Sequence, residues 1–480
     1  MKKNSVKKNY IYNLAYQIFA IIVPFITTPY ISRVLGAENI GIFSYTLSIV
    51  TYFVLFGSLG ISVYGARETA YVQNDRKKRS QVFWEMNVIR LITIAISTIV
   101  FLATCRLFGD YWIYYLILSI HLISTIFDIS WFFQGMEDLK LTSVRNIIVR
   151  IIGTILIFMF VKTQSDLWVY VLIFALTTFF GNVSLWLRLP KYVEKVSLKS
   201  LQLKKHFKPV FALFLPQIAS QIYAVLDKVM IGAIIPDKTE LGYYEQGEKI
   251  VKMAITVITA VAAAMSPRIA TAFINKDKAS LDRYMYKTFK FTFMLALPMI
   301  LGILAVSDRF VPIFFGEGYD RVSIIMKLLS PIILIIGFGS AIGVQYFIPT
   351  KRQRQLTITY IAGAIVNVII NALLIGQLGA VGAAIGTICA EAAVTGFQLF
   401  FIRKEYPFTK IIKCCPKYLI SSIIMFAVCF GLNIVMPVGS VYSIVAIVTA
   451  GGIVYGLSLV ALRDEQVIEV LMGIKGKIIK

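Results

Sequence analysis

The chain has 480 residues, of which 58% are hydrophobic and 15% are charged, and its formal net charge is +23. Soluble proteins carry about 25% charged residues, so this composition excludes an ordinary soluble enzyme and indicates an integral membrane protein. The positive charge does not indicate nucleic acid as a partner, because basic residues of membrane proteins accumulate in their cytoplasmic loops.

Apolar runs of about 20 residues recur along the whole chain, and each is long enough to cross a hydrocarbon core of about 30 Å. We therefore predict an all-α integral membrane protein with about fourteen transmembrane helices. The predicted spans cover residues 9–31, 40–63, 86–105, 111–133, 145–162, 167–187, 209–234, 240–266, 287–307, 322–348, 356–376, 380–401, 417–437 and 440–462.

The loops between these spans differ strongly in charge. One set of alternate loops holds most of the lysines and arginines, including Arg76–Arg79 and Arg188–Lys208. The opposite set holds few basic residues: Arg33, Arg106, Lys238, Arg309 and Arg321. By the positive-inside rule, this asymmetry predicts a multi-pass membrane protein with both termini in the cytoplasm.

The polar linker at residues 191–208 divides the chain into two parts that look related. Three residues recur at one constant offset: Gly41, Arg67 and Asn74 match Gly242, Arg268 and Asn275. We predict two pseudo-symmetric six-helix lobes, over 1–190 and 209–402, with a substrate path between them. Residues 403–480 would add a helix pair and a cytoplasmic tail. Chance agreement between apolar sequences is the alternative to a true repeat.

Ionisable residues within the N-terminal spans form a first candidate site. A charge at the centre of a span costs about 2.5–3.5 kcal/mol, so charges that persist there often face a cavity or pair with each other. Arg90, Asp128 and Arg150 are all predicted in the cytoplasmic halves of their helices. Two cations against one anion suit a phosphate, for which arginine offers forked donors. We predict that they line a central substrate-binding cavity, although Arg90 could instead extend to the headgroups.

A second candidate site lies in the C-terminal part: Asp227, Lys228, Glu245, Glu248, Lys249 and Lys252. Two Glu–Lys pairs in this group have a spacing of four residues with the glutamate first, which favours an ion pair within a helix. We predict the three lysines as substrate-binding residues and the three acidic residues as candidate sites for a coupling cation or proton. Because the charges sum to zero, a structural polar seam is the alternative.

Motifs of several enzyme classes are absent from the sequence. There is no G-x-x-x-x-G-K-[ST] phosphate loop, H-E-x-x-H zinc motif or G-x-S-x-G nucleophile motif. The five cysteines and two histidines show no metal-ligand spacing. No predicted loop is long enough for a glycosyltransferase domain. We therefore expect no catalytic residues, no cofactor and no metal.

Several short motifs resemble polysaccharide-repeat-unit flippases. They are Leu35–Gly41, Trp131–Glu137, Asp227–Gly232, Gly242–Tyr244 and Ser266–Arg268. These flippases belong to the MOP superfamily, which also contains the multidrug and toxin extrusion (MATE) transporters and the lipid II flippases. The resemblance covers essentially the whole chain, from the first span to the last pair.

The resemblance implies a MATE-like flippase that works by alternating access without ATP hydrolysis. Its substrate would be an undecaprenyl-diphosphate-linked oligosaccharide, moved from the inner to the outer leaflet for capsule, exopolysaccharide or O-antigen assembly. Related flippases use cavity arginines for the diphosphate, and Arg90 and Arg150 are the nearest equivalents by location.

The resemblance also bears on partners and alternatives. The expected partners are the lipid-linked oligosaccharide and membrane lipids, with a polysaccharide polymerase and glycosyltransferases as further candidates, and a monomer is expected. One alternative is a cation-coupled multidrug or small-molecule exporter of the same superfamily, although the first span lacks the Asp or Glu of many such exporters. Another is a membrane scaffold for a polysaccharide synthase complex.

Overall fold

The computed structural model describes residues 3–108, 111–464 and 466–468, and within these ranges the chain is helical without any β-strand. The chain forms two compact units, Met1–Gly242 and Tyr243–Lys480. The prediction of an all-α fold is confirmed. Most of the predicted cytoplasmic tail, after residue 464, lies outside the described residues.

The first unit is built around the long helix α1. Its described helices are α1 (Lys3–Ser58), α2 (Ile61–Tyr71), α3 (Arg76–Thr104), α4 (Trp112–Ser124), α5 (Ser130–Gly135), α6 (Leu139–Phe160), α7 (Leu167–Ser184) and α8 (Lys204–Ile234). Helix α1 packs against α3, α4, α6 and α8. It breaks at Gly36, whose φ of 79° and ψ of 167° are non-helical. Glycine adopts such angles readily because it has no Cβ, so the break separates the first two predicted spans.

The second unit is organised by the long helix α10 and by the paired helices α13 and α14. Its described helices are α9 (Thr239–Ile274), α10 (Lys278–Phe315), α11 (Asp320–Leu329), α12 (Ile332–Ile342), α13 (Gln353–Leu378), α14 (Ala380–Ile402), α15 (Phe408–Ile412), α16 (Pro416–Val435) and α17 (Val441–Ala461). The first residues of α9, up to Gly242, belong to the first unit. Helix α10 packs against α12 and α16. Between α13 and α14, a Cβ on Gly363 would lie 2.3 Å from Val394 Cγ2, so glycine permits this close packing.

Twelve helical segments of the described chain are long and apolar enough to cross a membrane. The first of them, Ala15–Tyr71, contains the first two predicted spans, and α8, which covers the predicted seventh span, is not among the twelve. The membrane fold is confirmed, whereas the number of fourteen crossings stays a prediction. The lobe boundaries at 190 and 209 also stay predictions, since α8 packs against α1 and α2 in the first unit.

Two residues of the predicted repeat, Gly41 and Gly242, meet within the first unit. A Cβ on Gly41 would lie 1.8 Å from the Lys238 carbonyl oxygen, and a Cβ on Gly242 would lie 1.9 Å from the Ala37 carbonyl oxygen. The contact is reciprocal: Gly41 faces the carbonyl group of the residue four positions before Gly242, and Gly242 faces the carbonyl group of the residue four positions before Gly41. This reciprocal contact, here called the glycine crossing, needs a residue without a side chain at both positions.

Helices α3 and α10 both begin with an aspartate cap near a matched asparagine of the predicted repeat. Asp75 accepts a hydrogen bond from the Lys78 amide at 3.1 Å, and Asp277 accepts one from the Ser280 amide at 3.0 Å. Hydrogen bonds at these helix N-termini lower the pKa of both carboxyl groups. Asp75 directly follows Asn74, whereas Asp277 lies two residues after Asn275, so the two caps are similar but shifted by one residue from the offset of the predicted repeat.

A buried polar network ties the start of α8 to α2 and α3. The fully buried Glu85 carboxylate lies 2.7 Å from His206 Nε2, accepts the Gln202 amide at 2.8 Å and pairs with Lys205 Nζ at 3.0 Å. The Tyr64 hydroxyl lies 2.8 Å from His206 Nδ1. The network supplies hydrogen-bond donors to a carboxylate that would otherwise be costly to bury. It also attaches the linker before α8 to α3 of the first unit.

Replacing Glu85 with alanine is therefore expected to destabilise the protein by about 3–5 kcal/mol, because His206 and the Gln202 amide lose their buried acceptor. Thermal unfolding of the detergent-purified protein measures the effect. Glu194→Ala is the matched control, since Glu194 forms an exposed ion pair with Arg76 that contributes about 0–1 kcal/mol. Equal destabilisation by the two variants would contradict the structural role of Glu85.

Candidate functional site

Arg90, the first predicted site residue, lies in α3 and is buried within the first unit, with a side chain that is only 3% exposed. Its Nη1 donates to the Asp128 carbonyl oxygen, and its Nη2 lies 3.4 Å from Ser62 Oγ. The guanidinium therefore points into the protein rather than to the headgroups.

The Asp128 carbonyl group can accept from Arg90 because the helical conformation ends at Asp128. Its φ of −75° and ψ of 95° separate α4 from α5 and interrupt the predicted span at 111–133. The break frees the Asp128 carbonyl from helical hydrogen bonding, so that Arg90 can use it. The carboxylate accepts the Ser130 amide at 3.0 Å, in a turn that starts α5.

Arg145 is a third charged member of this cluster, and the sequence analysis did not identify it. Its Nη1 donates to Asn182 Oδ1 at 3.0 Å and its Nη2 donates to Ser130 Oγ at 2.6 Å. It also acts electrostatically on the Asp128 carboxylate. As the first residue of a predicted span, Arg145 resembled a cation at a helix end, and only the fold brings Ser130 and Asn182 to it.

Arg150 lies five residues after Arg145 on α6 and contacts α1 instead of the Arg90 cluster. Its Nη1 lies 3.4 Å from the Ala20 carbonyl oxygen, and its Cζ is 5.5 Å from the centroid of the Tyr16 ring. The structure thus brings together two of the three predicted residues, Arg90 and Asp128. The third occupies a separate place beside α1.

The residues of the second candidate site are divided between the two units. In the first unit, Asp227 is 5% exposed and lies within electrostatic range of Tyr52, while Lys228 is half-buried. In the second unit, Lys252 Nζ pairs with Glu248 Oε1 at 2.7 Å, which confirms that predicted helical pair. Glu245 and Lys249 lie on the same helix, α9. Roles in substrate or ion binding stay predictions for all six residues.

Two family models match the chain over more than half of its length. The polysaccharide biosynthesis protein family matches residues 6–273, and the lipid II flippase MurJ family matches residues 140–450. A protein of Escherichia coli K12 whose name describes it as an O-antigen transporter is 24% identical, covering 84% of this chain and 98% of its own. A low-salt glycan biosynthesis flippase of Haloferax volcanii is 25% identical, covering 91% and 92%.

Solved structures show the same fold. An inward closed conformation of the lipid II flippase MurJ superposes with a TM-score of 0.74 at 17% identity, covering 95% of this chain and 99% of its own. An inward-facing multidrug resistance transporter of the MATE family superposes with a TM-score of 0.60 at 15% identity, covering 82% and 99%. The chain belongs to the polysaccharide biosynthesis protein family, within the MATE-like MOP superfamily of flippases and exporters.

Proposed function

We propose that this protein turns undecaprenyl-diphosphate-linked oligosaccharide repeat units from the inner to the outer leaflet of the bacterial plasma membrane. Its termini face the cytoplasm, and its helices alternate between inward-open and outward-open states. Relatives that match over nearly their whole length are named as flippases and O-antigen transporters, which supports a role in transport rather than in catalysis.

The observation that carries the proposal is the charge balance of the first six predicted spans. They contain three arginines, Arg90, Arg145 and Arg150, but a single carboxylate, Asp128. Cations inside a span are costly and tend to mark the path of an anionic substrate. A diphosphate is the anion that a polyprenyl-linked sugar would bring to this path.

Among these arginines, Arg150 is the one best placed to bind the diphosphate. The donors of Arg90 and Arg145 are directed at protein acceptors, Asp128, Asn182 and Ser130. Among the described residues, Arg150 makes one long hydrogen bond and rests on the Tyr16 ring, so most of its five N–H donors have no acceptor in that part of the chain. We assign Arg150 to the substrate and the Arg90–Asp128–Arg145 cluster to the scaffold that supports it.

Arg150→Glu is expected to lower surface polysaccharide at least tenfold, because a carboxylate repels the diphosphate that the guanidinium would bind. The assay is complementation of a deletion strain, with polysaccharide quantified beside protein abundance in the membrane. Lys410→Glu reverses an exposed cation of α15 and is expected to leave export unchanged.

Normal export by an abundant Arg150→Glu protein would contradict the proposed role of this residue. Changed drug tolerance in the deletion strain with intact surface polysaccharide would favour a cation-coupled exporter instead. For ion coupling, Asp227 is the preferred candidate because it is a buried acidic residue of a predicted span, within electrostatic range of Tyr52. A polymerase and glycosyltransferases are the partners that would use and supply such a substrate.

A further inference from the structure

A cavity of about 830 Å³ runs between α6 and α7 on the first unit. Its apolar wall consists of residues from both helices: Leu141, Ile148, Ile152, Leu156, Leu176 and Phe180. The spacing of three or four residues places the α6 members on one helix face. Among the candidate spans of the described chain, Leu139–Phe160 is the least buried, at 6%. This wall, here called the α6–α7 groove, therefore opens toward the membrane.

One end of the groove is strongly basic. This end is lined by four cationic residues and one acidic residue: Lys140, Arg145, Arg188, Lys191 and Asp138. Arg188 and Lys191 are exposed, and no carboxylate of the described residues forms an ion pair with either of them. The predicted topology places this end at the cytoplasmic leaflet.

Asp138, the one acidic residue that lines this end in the described part of the chain, already has a donor of its own. The Tyr192 hydroxyl donates to Asp138 Oδ2 at 2.8 Å. Burial, together with the adjacent carboxylate, raises the pKa of Tyr192 to about 12, so the phenol stays neutral at physiological pH. Tyr192 rather than a cation thus occupies that oxygen of Asp138. No ion pair among the described residues neutralises Lys140, Arg188 or Lys191, whereas Arg145 already donates to Asn182 and Ser130.

The length of the groove distinguishes between possible lipid chains. Lys140 and Leu156 are separated by sixteen residues of α6, which corresponds to about 24 Å at a rise of 1.5 Å per residue. One leaflet accounts for only about 15 Å of the hydrocarbon core. An acyl chain of a phospholipid would thus end well before the groove does, whereas a long isoprenoid chain could follow it throughout.

We propose that the α6–α7 groove binds the polyprenyl diphosphate part of the lipid-linked substrate at the cytoplasmic leaflet. The diphosphate lies against Lys140, Arg188 and Lys191, and the isoprenoid chain lies along Ile152 and Phe180. Charge-assisted hydrogen bonds from a net positive rim suit two adjacent phosphates. The inference rests on the proposed function, and it adds a place where the carrier docks before translocation.

Binding of undecaprenyl diphosphate to the purified full-length protein, followed by native mass spectrometry, tests the groove. Ile152→Trp fills the apolar wall and Arg188→Glu/Lys191→Glu reverses the rim, so each is expected to weaken binding at least tenfold. Two matched controls lie outside the groove: Ile155→Trp changes an exposed residue of α6, and Lys195→Glu changes an exposed linker cation. Both controls are expected to bind as the wild type does.

Competition and transport measurements complete the test. Cardiolipin and inorganic diphosphate should displace the probe poorly. Displacement by either of them as effective as by unlabelled undecaprenyl diphosphate would overturn the proposal, as would unchanged binding by both groove variants.

Transport measurements separate the groove from the proposed function. Arg150→Glu should still bind the probe while failing to flip the substrate. If the wild type flips the substrate but the groove variants bind normally, only the groove inference fails. If the wild type binds the probe but flips nothing, the proposed function fails instead.

Discussion

Gly41→Ala and Gly242→Ala are each expected to reduce polysaccharide export by at least tenfold while the protein remains abundant in the membrane. The methyl group of either variant would lie within 2 Å of a backbone carbonyl oxygen, of Lys238 or of Ala37. A backbone atom cannot rotate away as a side chain does. Helix α1 and the start of α9 must therefore separate by about 1 Å before the contact is tolerable.

This separation should affect transport more than folding because the glycine crossing is small and local. The predicted topology places it on the outer side of the membrane, where Lys238 is also buried, and desolvation there lowers the pKa of the Lys238 ammonium. Small displacements at a packed contact between mobile elements shift the balance between two conformations. We expect the variants to favour the state that is open to the outside.

Gly452→Ala and Gly431→Ala are the matched controls, since a Cβ at either position meets nothing within 4 Å. Gly452 lies in α17 and Gly431 lies in α16, and alanine forms helix more readily than glycine does. Export is measured by complementation, with membrane abundance determined in parallel. Normal export by both crossing variants would show that the contact is dispensable for transport.

Asp128→Ala should be among the most destabilising substitutions of the first unit, lowering the free energy of unfolding by about 3–5 kcal/mol. The change leaves the buried Arg90 and the half-buried Arg145 without the carboxylate that acts on both of them, and it removes the acceptor of the Ser130 amide. Asp128→Asn should be milder, because an amide oxygen can still accept from Ser130. Thermal unfolding of the detergent-purified protein compares the variants.

A double-substitution cycle isolates the electrostatic part of this effect. Arg90→Met combined with Asp128→Asn should cost less than the sum of the two single changes, because the pair removes one cation together with one anion. Asp320→Ala, at an exposed position at the start of α11, is the control and should change stability by less than about 0.5 kcal/mol. Simple additivity of the two single changes would exclude coupling between Arg90 and Asp128.

Hydropathy and local spacing are sufficient to predict much of this fold. Apolar runs mark the membrane helices, and a spacing of four residues identifies the Glu248–Lys252 pair on α9. Both signals are local, since they depend on residues within one or a few helical turns. The constant offset relates Gly41 to Gly242, but no local pattern indicates that the two glycines lie in contact in the fold.

The polar clusters could not be predicted because their members are distant in the sequence. Glu85 and His206 are 121 residues apart, and Arg145 and Asn182 are 37 apart. No periodicity relates such positions, so only the fold identifies them as partners. The break at Asp128 was equally hidden, because an apolar window spans it without interruption. Arg150 was found from its position within a span, and its place beside Tyr16 came from the structure.

Flipping by the purified protein in proteoliposomes tests the central claim most directly. The substrate would be a fluorescent undecaprenyl-diphosphate-linked oligosaccharide, and its exposure in the opposite leaflet would be followed with a membrane-impermeant quencher. We predict rapid exposure with the wild-type protein and the rate of protein-free liposomes with Arg150→Glu. A wild-type rate equal to that of protein-free liposomes, with folded protein confirmed in the same vesicles, would contradict the account.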